Sequence, residues 1–238
     1  MQKCKSCDFN FEGNFCNNCG NPRVIERIDK THILEEFDDY FLHLEKGILF
    51  TLRELFLRPG ITINNFLAGN RNKYYKPIPF LVLFSGIYVY IDHTLGYHPS
   101  ELVDSAQTTV NSFMREHLIY FSLFQILIMI FVLKNLLYRK VNYNIYEYFF
   151  AMAYSSGMTI LFSTVGIIIT YVTNVEVIQY FISIIGLIYG VWLLGQFMGS
   201  NTYKGYIKSA LAKMLSLFIF LILSSVIFTL LNIFEVNY

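Results

Sequence analysis

The stretch MLSLFIFLILSSVIFTLLNIF, from Met214 to Phe234, contains no charged side chain and no polar face. A buried helix of a soluble protein still shows one side to water, so a helix that is apolar all round belongs in lipid or in a large core. Four more charge-free segments precede it: Pro77 to Ile91, Leu118 to Leu133, Tyr148 to Val175, and Val177 to Tyr203. About 20 apolar residues cross a hydrocarbon layer of roughly 30 Å. The expected spans are residues 77–96, 118–138, 148–173, 177–200 and 213–234, which predicts an all-α integral membrane bundle of five transmembrane helices over residues 77–238. The first span is the shortest, with Asp92 and His93 at its end, and a re-entrant or interfacial segment is its alternative.

Charge is distributed to match. Residues 1–77 hold 11 of the 18 Lys and Arg and 10 of the 17 Asp and Glu. The basic residues also give an orientation, because cytoplasmic loops are enriched in them. Arg71, Lys73 and Lys76 precede span one; Lys134, Arg139 and Lys140 lie between spans two and three; Lys204, Lys208 and Lys213 lie between four and five. The opposite flanks carry only Arg115, beside Glu101, Asp104, Glu116, Glu176 and Glu235. The expectation is a multi-pass protein of the bacterial cytoplasmic membrane with its N-terminus in the cytoplasm and its C-terminus outside. The start, MQKCKSC, has no apolar stretch ahead of the cysteines that would mark it for export.

All four cysteines fall in the first nineteen residues, as C-x2-C-x8-C-x2-C. In a reducing compartment such an array holds a metal more readily than disulfides. Cys4, Cys7, Cys16 and Cys19 have the spacing of a closed tetrahedral zinc site. A small β zinc ribbon over residues 1–22 is expected, turning near Glu12-Gly13-Asn14, with Phe9, Phe11 and Phe15 as its shell. Gly20 stands where a positive φ is needed. So small a unit takes its folding energy from the metal. A redox-active C-x2-C pair or an iron centre is the alternative. Lys3 and Lys5 are balanced by Asp8 and Glu12, so no basic patch is present for phosphates, and a protein partner is expected in place of nucleic acid.

Residues 23–76 form a cytoplasmic leader. Ile33, Leu34, Phe37, Phe41, Leu44, Ile48, Leu52 and Leu55 recur at helical spacing, with Glu35, Glu36, Asp38, Asp39 and Glu45 on the other face. This predicts an amphipathic helix capped at Thr31 and stopped at Arg58-Pro59-Gly60. A short helix, ITINNFLAG, follows and stops at Gly69. The acidic first half of the amphipathic helix favours packing on the cytoplasmic ends of the spans over lying on anionic lipid. Arg58, Arg71, Lys73, Tyr74 and Lys76 are the candidate contacts to headgroups or a partner.

Within the spans, Asp92, His93, Gln125, Glu147 and Gln196 are the polar outliers. Intramembrane polar groups are costly and are candidates for function, although span ends offer headgroup water to Asp92, His93 and Glu147. Gly186-x3-Gly190 and Gly195-x3-Gly199 place small residues on span four, suited to intramolecular packing, with homo-oligomer formation as the alternative. The sequence contains no GxSxG, P-loop, HExxH or glycine-rich dinucleotide turn, and its five histidines are scattered. The expected role is therefore non-enzymatic: a membrane anchor or scaffold whose ribbon and leader dock a partner. Two alternatives stand beside it. One is a small-solute transporter or channel lined by Gln125, Glu147, Ser155, Ser156, Thr159, Ser163 and Thr164. The other is a lipid-modifying enzyme in which Glu147, Asp92 and His93 converge.

The segments CKSCDFNFEGNFCNNCGN and LEKGILFTLRELFLRPGITINNFLAGNRNKYYKPIPFL, with YNIYEYFFAMAYSSG and VWLLGQFMGSNTYKGYIKSAL further on, resemble a bacterial membrane family known as domain of unknown function 3667. The most specific part has the form K-G-x3-T-x3-L-x2-R-P-G followed by G-x-R-x2-Y-x2-P. The resemblance implies the zinc ribbon, the leader and the multi-span domain, and it implies no activity. The cytoplasmic N-terminus with five helices is also similar in architecture to the Yip1 group of membrane-trafficking proteins.

Overall fold

The computed structural model describes residues 1–4, 9–18, 20, 23, 27–29, 47–95, 117–199 and 202–235. The first part of the expected leader helix, residues 31–46 with its acidic face, and the segment carrying Glu101, Asp104, Arg115 and Glu116 lie outside these residues.

The N-terminus forms a two-stranded antiparallel hairpin, β1 (Gln2–Lys3) paired with β2 (Asn10–Phe11). It turns after β2 at Gly13, whose φ of 118° suits only a residue without a Cβ. Seven α-helices follow among the described residues: α1 (Ile48–Leu57), α2 (Pro59–Leu67), α3 (Pro77–Leu95), α4 (Leu118–Phe131), α5 (Ile145–Thr173), α6 (Val177–Phe197) and α7 (Tyr203–Glu235). A single 3-10 turn, Arg71–Lys73, joins α2 to α3. Among the described residues, five helical stretches, beginning at Pro77, Leu118, Ile145, Val177 and Tyr203, are long and apolar enough to cross a membrane.

The helix ends have local causes. Pro59 and Pro77 open α2 and α3, where the missing N–H costs nothing. Asn144 caps α5 by accepting from the Glu147 N–H at 2.8 Å, while Glu147 accepts from the Asn144 N–H at 2.7 Å, a reciprocal capping box. Asn174 closes α5 in the left-handed region at φ 54°. A π-helical segment, Val132–Leu137, continues α4, and its wider turn delivers Tyr138 to Ser209 of α7 at 2.9 Å.

α5 is the central helix. Tyr148, Phe150, Ala151, Ala153, Tyr154 and Met158 on it are buried against α2, α3 and α6. α3 packs along it through Phe80, whose ring lies on Gly157 so closely that a Cβ there would stand 2.6 Å from it. α4 and α6 flank α5, and α7 lies across both, joined to α4 by the Gln125 amide donating to Ser216 at 2.8 Å.

The fifth helix starts at Tyr203, ten residues ahead of the expected 213. Lys204, Lys208 and Lys213 drew that boundary too late. A lysine within a helix can still place its ammonium on a local partner, and Lys208 holds its Nζ 4.3 Å from the centre of the Tyr138 ring. The leader differs as well: Gly47, at φ 95°, stands directly before Ile48, so α1 begins there after a backbone turn.

Candidate functional site

The residues of the two sequence motifs meet at the end of the bundle where α3 and α5 begin and α6 finishes. Gly47 lets the chain pass over the 3-10 turn: a Cβ at this position would stand 2.9 Å from the Lys73 carbonyl. Thr51 is fully buried, and its hydroxyl accepts from the Tyr75 N–H at 2.7 Å. The Tyr75 carbonyl in turn accepts from the Tyr154 hydroxyl of α5. Leu55 is buried, and its carbonyl accepts from Tyr189 of α6 at 2.9 Å.

Arg58 is the corner between α1 and α2. It pairs with the buried Glu54 at 2.7 Å, and its own charge is held more firmly by that carboxylate. Gly60 lies against the end of α6 with no room for a side chain, since a Cβ would be 2.2 Å from the Phe197 nitrogen. Its N–H donates to the Gln196 side chain at 3.1 Å. Asn64 continues the seam, donating to the Phe197 carbonyl at 3.2 Å and accepting from the Tyr143 hydroxyl at 3.0 Å. Burial raises the Tyr143 hydroxyl above its ordinary pKa, with the Glu147 charge adding to it. Tyr143 stacks on Phe197 at 4.8 Å, and Phe66 meets Phe150 and Tyr154 edge-on. Gly47, Thr51, Leu55 and Gly60 of the motif are thus joints that tie the α1–α2 pair to the 3-10 turn and its exit and to α6.

Of the candidate contacts, Tyr74 is buried with its ring tilted on Phe50 at 5.5 Å, whereas Lys73 is exposed. Arg71 belongs to the 3-10 turn and Lys76 directly precedes α3. Arg58 is half-exposed and serves the corner.

Glu147 occupies the same end. Besides capping α5, both its oxygens accept from Arg27, from Nε and Nη2 at 2.8 Å each. This two-pronged pairing raises the pKa of Arg27. Asn144 donates to the Ile28 carbonyl at 2.7 Å, and Arg27 donates to the Asn142 carbonyl. The chain at Arg27 and Ile28 is therefore fastened to the start of α5. The pairing spans 120 residues, beyond any local pattern, although N-x-x-E before an apolar run carries the cap in the sequence.

Asp92 and His93 lie in the last turn of α3. Asp92 is half-buried and His93 exposed there, whereas Glu147 is buried and taken by Arg27 and the Asn144 N–H. Gln125 serves the α4–α7 contact, and its carbonyl oxygen is buried without a partner among the described residues. Two of the α5 hydroxyls turn to their own helix: Thr159 donates to the Ser155 carbonyl and Thr164 to that of Ile160, both at 2.9 Å. Three of the span-four glycines receive side chains of this chain, Gly186 that of Phe162, Gly190 that of Lys213 and Gly195 that of Tyr206, while Gly199 faces open space.

In the hairpin, Cys4 and Cys16 are buried together with Phe11. Cys7 and Cys19 lie outside the described residues. Gly20 has φ 71°, and its N–H donates to the Cys16 carbonyl at 2.8 Å, the tight turn that a C-x2-C-G ending calls for. Two buried sulfurs facing one small cluster fit half of a thiolate site. Phe9 and Phe15, expected in the shell, are exposed instead, because a hairpin of two-residue strands has one interior face and Phe11 fills it.

These features define a multi-pass helical membrane protein with a small cysteine-bearing hairpin. Residues 45–89 match the family model described as protein of unknown function (DUF3667). The matched stretch is α1, α2, the 3-10 turn and most of α3. No curated protein and no solved structure matches the chain.

Proposed function

We propose that this protein is a non-enzymatic anchor that holds a zinc ribbon at the cytoplasmic face of the bacterial inner membrane and presents it to a protein partner. The observation that carries this reading is the exposure of Phe9 and Phe15 on a hairpin whose own core needs only Phe11. Aromatic side chains standing out from a small rigid unit are the usual anchors of protein interfaces. The Arg27–Glu147 pair supports it by fixing the connecting chain to α5, so that the ribbon is held near the bundle. Zinc would be held by Cys4, Cys7, Cys16 and Cys19, where it supplies folding energy to the hairpin. The motif glycines and hydroxyls are consumed by internal joints, in keeping with a scaffold.

The test places a photocrosslinking residue at Phe15 in native membranes. One defined protein adduct is expected, lost in Phe9→Ala and in Cys4→Ser, with bundle melting unchanged in both. Purified protein should carry about one zinc per chain, as a closed four-thiolate site requires. Adducts that persist unchanged in both variants would sink the docking role, and zinc-free protein with an intact hairpin would sink the metal.

A further inference from the structure

We infer that the outer face of the α1–α2 pair is a lipid contact, seated in the headgroup–acyl boundary of one leaflet and covered by phospholipid chains. The inner face of the pair is packed on α5 and α6 through Leu55, Ile63 and Phe66. Its outer face is also apolar: Leu49 is 79% exposed and Leu57 61%, with Phe50, Phe56 and Ile61 exposed beside them. Five large apolar side chains on one short helical pair exceed the scattered exposure normal for a water-facing surface.

Continuity with the spans identifies what covers them. The Phe56 ring meets Phe162 of α5 edge-on at 5.7 Å. Phe162 in turn lies against Tyr189 and Gly186 of α6, whose neighbours Ile185 and Ile188 are exposed on the same helix. The outer face of the pair thus runs into the apolar surface of helices long enough to cross a membrane. Depth agrees. α3 meets α5 at Gly157 through Phe80 in its first turn, and Phe56 meets α5 about five residues further along, roughly 8 Å deeper at 1.5 Å per residue. An interfacial helix buries its apolar face about 5–10 Å into that boundary.

Charge agrees too. The one carboxylate within α1, Glu54, is turned inward and taken by Arg58, while Arg53 is exposed. Cations on flexible stems at this depth reach headgroup phosphates. The expected acidic leader argued against lipid contact, but its carboxylates precede Gly47 and do not belong to this pair.

The chain has one tryptophan, Trp192, so a Trp192→Phe background allows single-tryptophan probes. Leu57→Trp and, as a second position, Ile61→Trp would be reconstituted in phosphatidylcholine–phosphatidylglycerol vesicles with and without bromines near the headgroup end of the acyl chains. Brominated lipid should lower the emission of either probe at least twofold, and aqueous iodide should leave it almost unchanged. Quenching by iodide without quenching by bromolipid would overturn the inference in favour of a water-facing surface. Insensitivity to both would overturn it in favour of a second protein chain covering the pair.

Discussion

Where α3 and α5 begin, Tyr143, Tyr148, Tyr154, Phe66 and Phe197 interlock, and Thr51, Gln196, Asn64 and Glu147 each close a polar contact between distant parts of the chain. At the opposite end, Val172 and Tyr171 of α5 and Tyr180 and Phe181 of α6 are exposed apolar side chains. The polar groups there that are buried, Thr170 and the Gln179 carbonyl oxygen, have no partner among the described residues. Both ends are made of apolar helix, so hydrophobicity does not distinguish them. One is cross-linked by residues with a defined geometry, and the other is left for lipid to cover. Residues 45–89, the stretch matched by the family model, supply one side of the cross-linked end.

The comparison breaks most readily at glycine. Gly60→Ala puts a Cβ 2.2 Å from the Phe197 nitrogen, and backbone must shift. Overpacking of this kind costs about 1–3 kcal/mol or more, so melting in detergent should fall clearly. Gly86→Ala, in the second half of α3 with nothing within 4 Å of its Cβ, should melt unchanged or gain up to about 1 kcal/mol from helix propensity. Equal losses in the two variants would erase the distinction between the ends.

Glu147 comes next. Glu147→Ala removes the half of the capping box that its side chain supplies and leaves Arg27 without its carboxylate, an expected loss of about 1–2 kcal/mol. Arg27→Ala should cost less than about 1 kcal/mol, because Arg27 is more than half exposed and the cap survives. The same melting measurement checks the order, and Arg27→Ala being the costlier would show that the fastening, not the cap, holds this end.

The smallest effects separate a joint from a bystander. Tyr189→Phe gives up the bond to the buried Leu55 carbonyl and should cost about 1 kcal/mol. Tyr148→Phe removes a buried hydroxyl with no partner among the described residues, and the change should lie within about 0.5 kcal/mol of zero or be stabilising. Thermal shifts of the two variants, read side by side, test whether the aromatic cluster needs its hydroxyls one by one.

Much of the fold was legible in the sequence because lipid imposes a one-dimensional rule: a long charge-free run is a spanning helix. The starts at Pro77, Leu118 and Val177 coincide with the expected ones, and Arg58-Pro59 and Gly69 punctuate as their backbone chemistry requires. The rule failed at Tyr203, where lysine stems made a helix look like a loop. It could not reach Gly60 against Gln196, 136 residues away, or Arg27 against Glu147, because packing between distant segments leaves no period in either one. The glycine and threonine of K-G-x3-T were visible as a motif, but their reason, a carbonyl and an N–H of the 3-10 turn and its exit, belongs to the folded chain. Phe9 and Phe15 were misread because alternation along so short a strand does not say how many faces are buried.

The central claim is that α1 and α2 are a fixed part of the bundle end. Hydrogen–deuterium exchange of the protein in lipid nanodiscs tests it most directly. Amides of 48–67 should exchange as slowly as those of 145–158, and Gly60→Ala should accelerate the first set well before the second. Exchange of 48–67 within seconds, at the rate of an unattached surface helix and unaltered by that substitution, would contradict it.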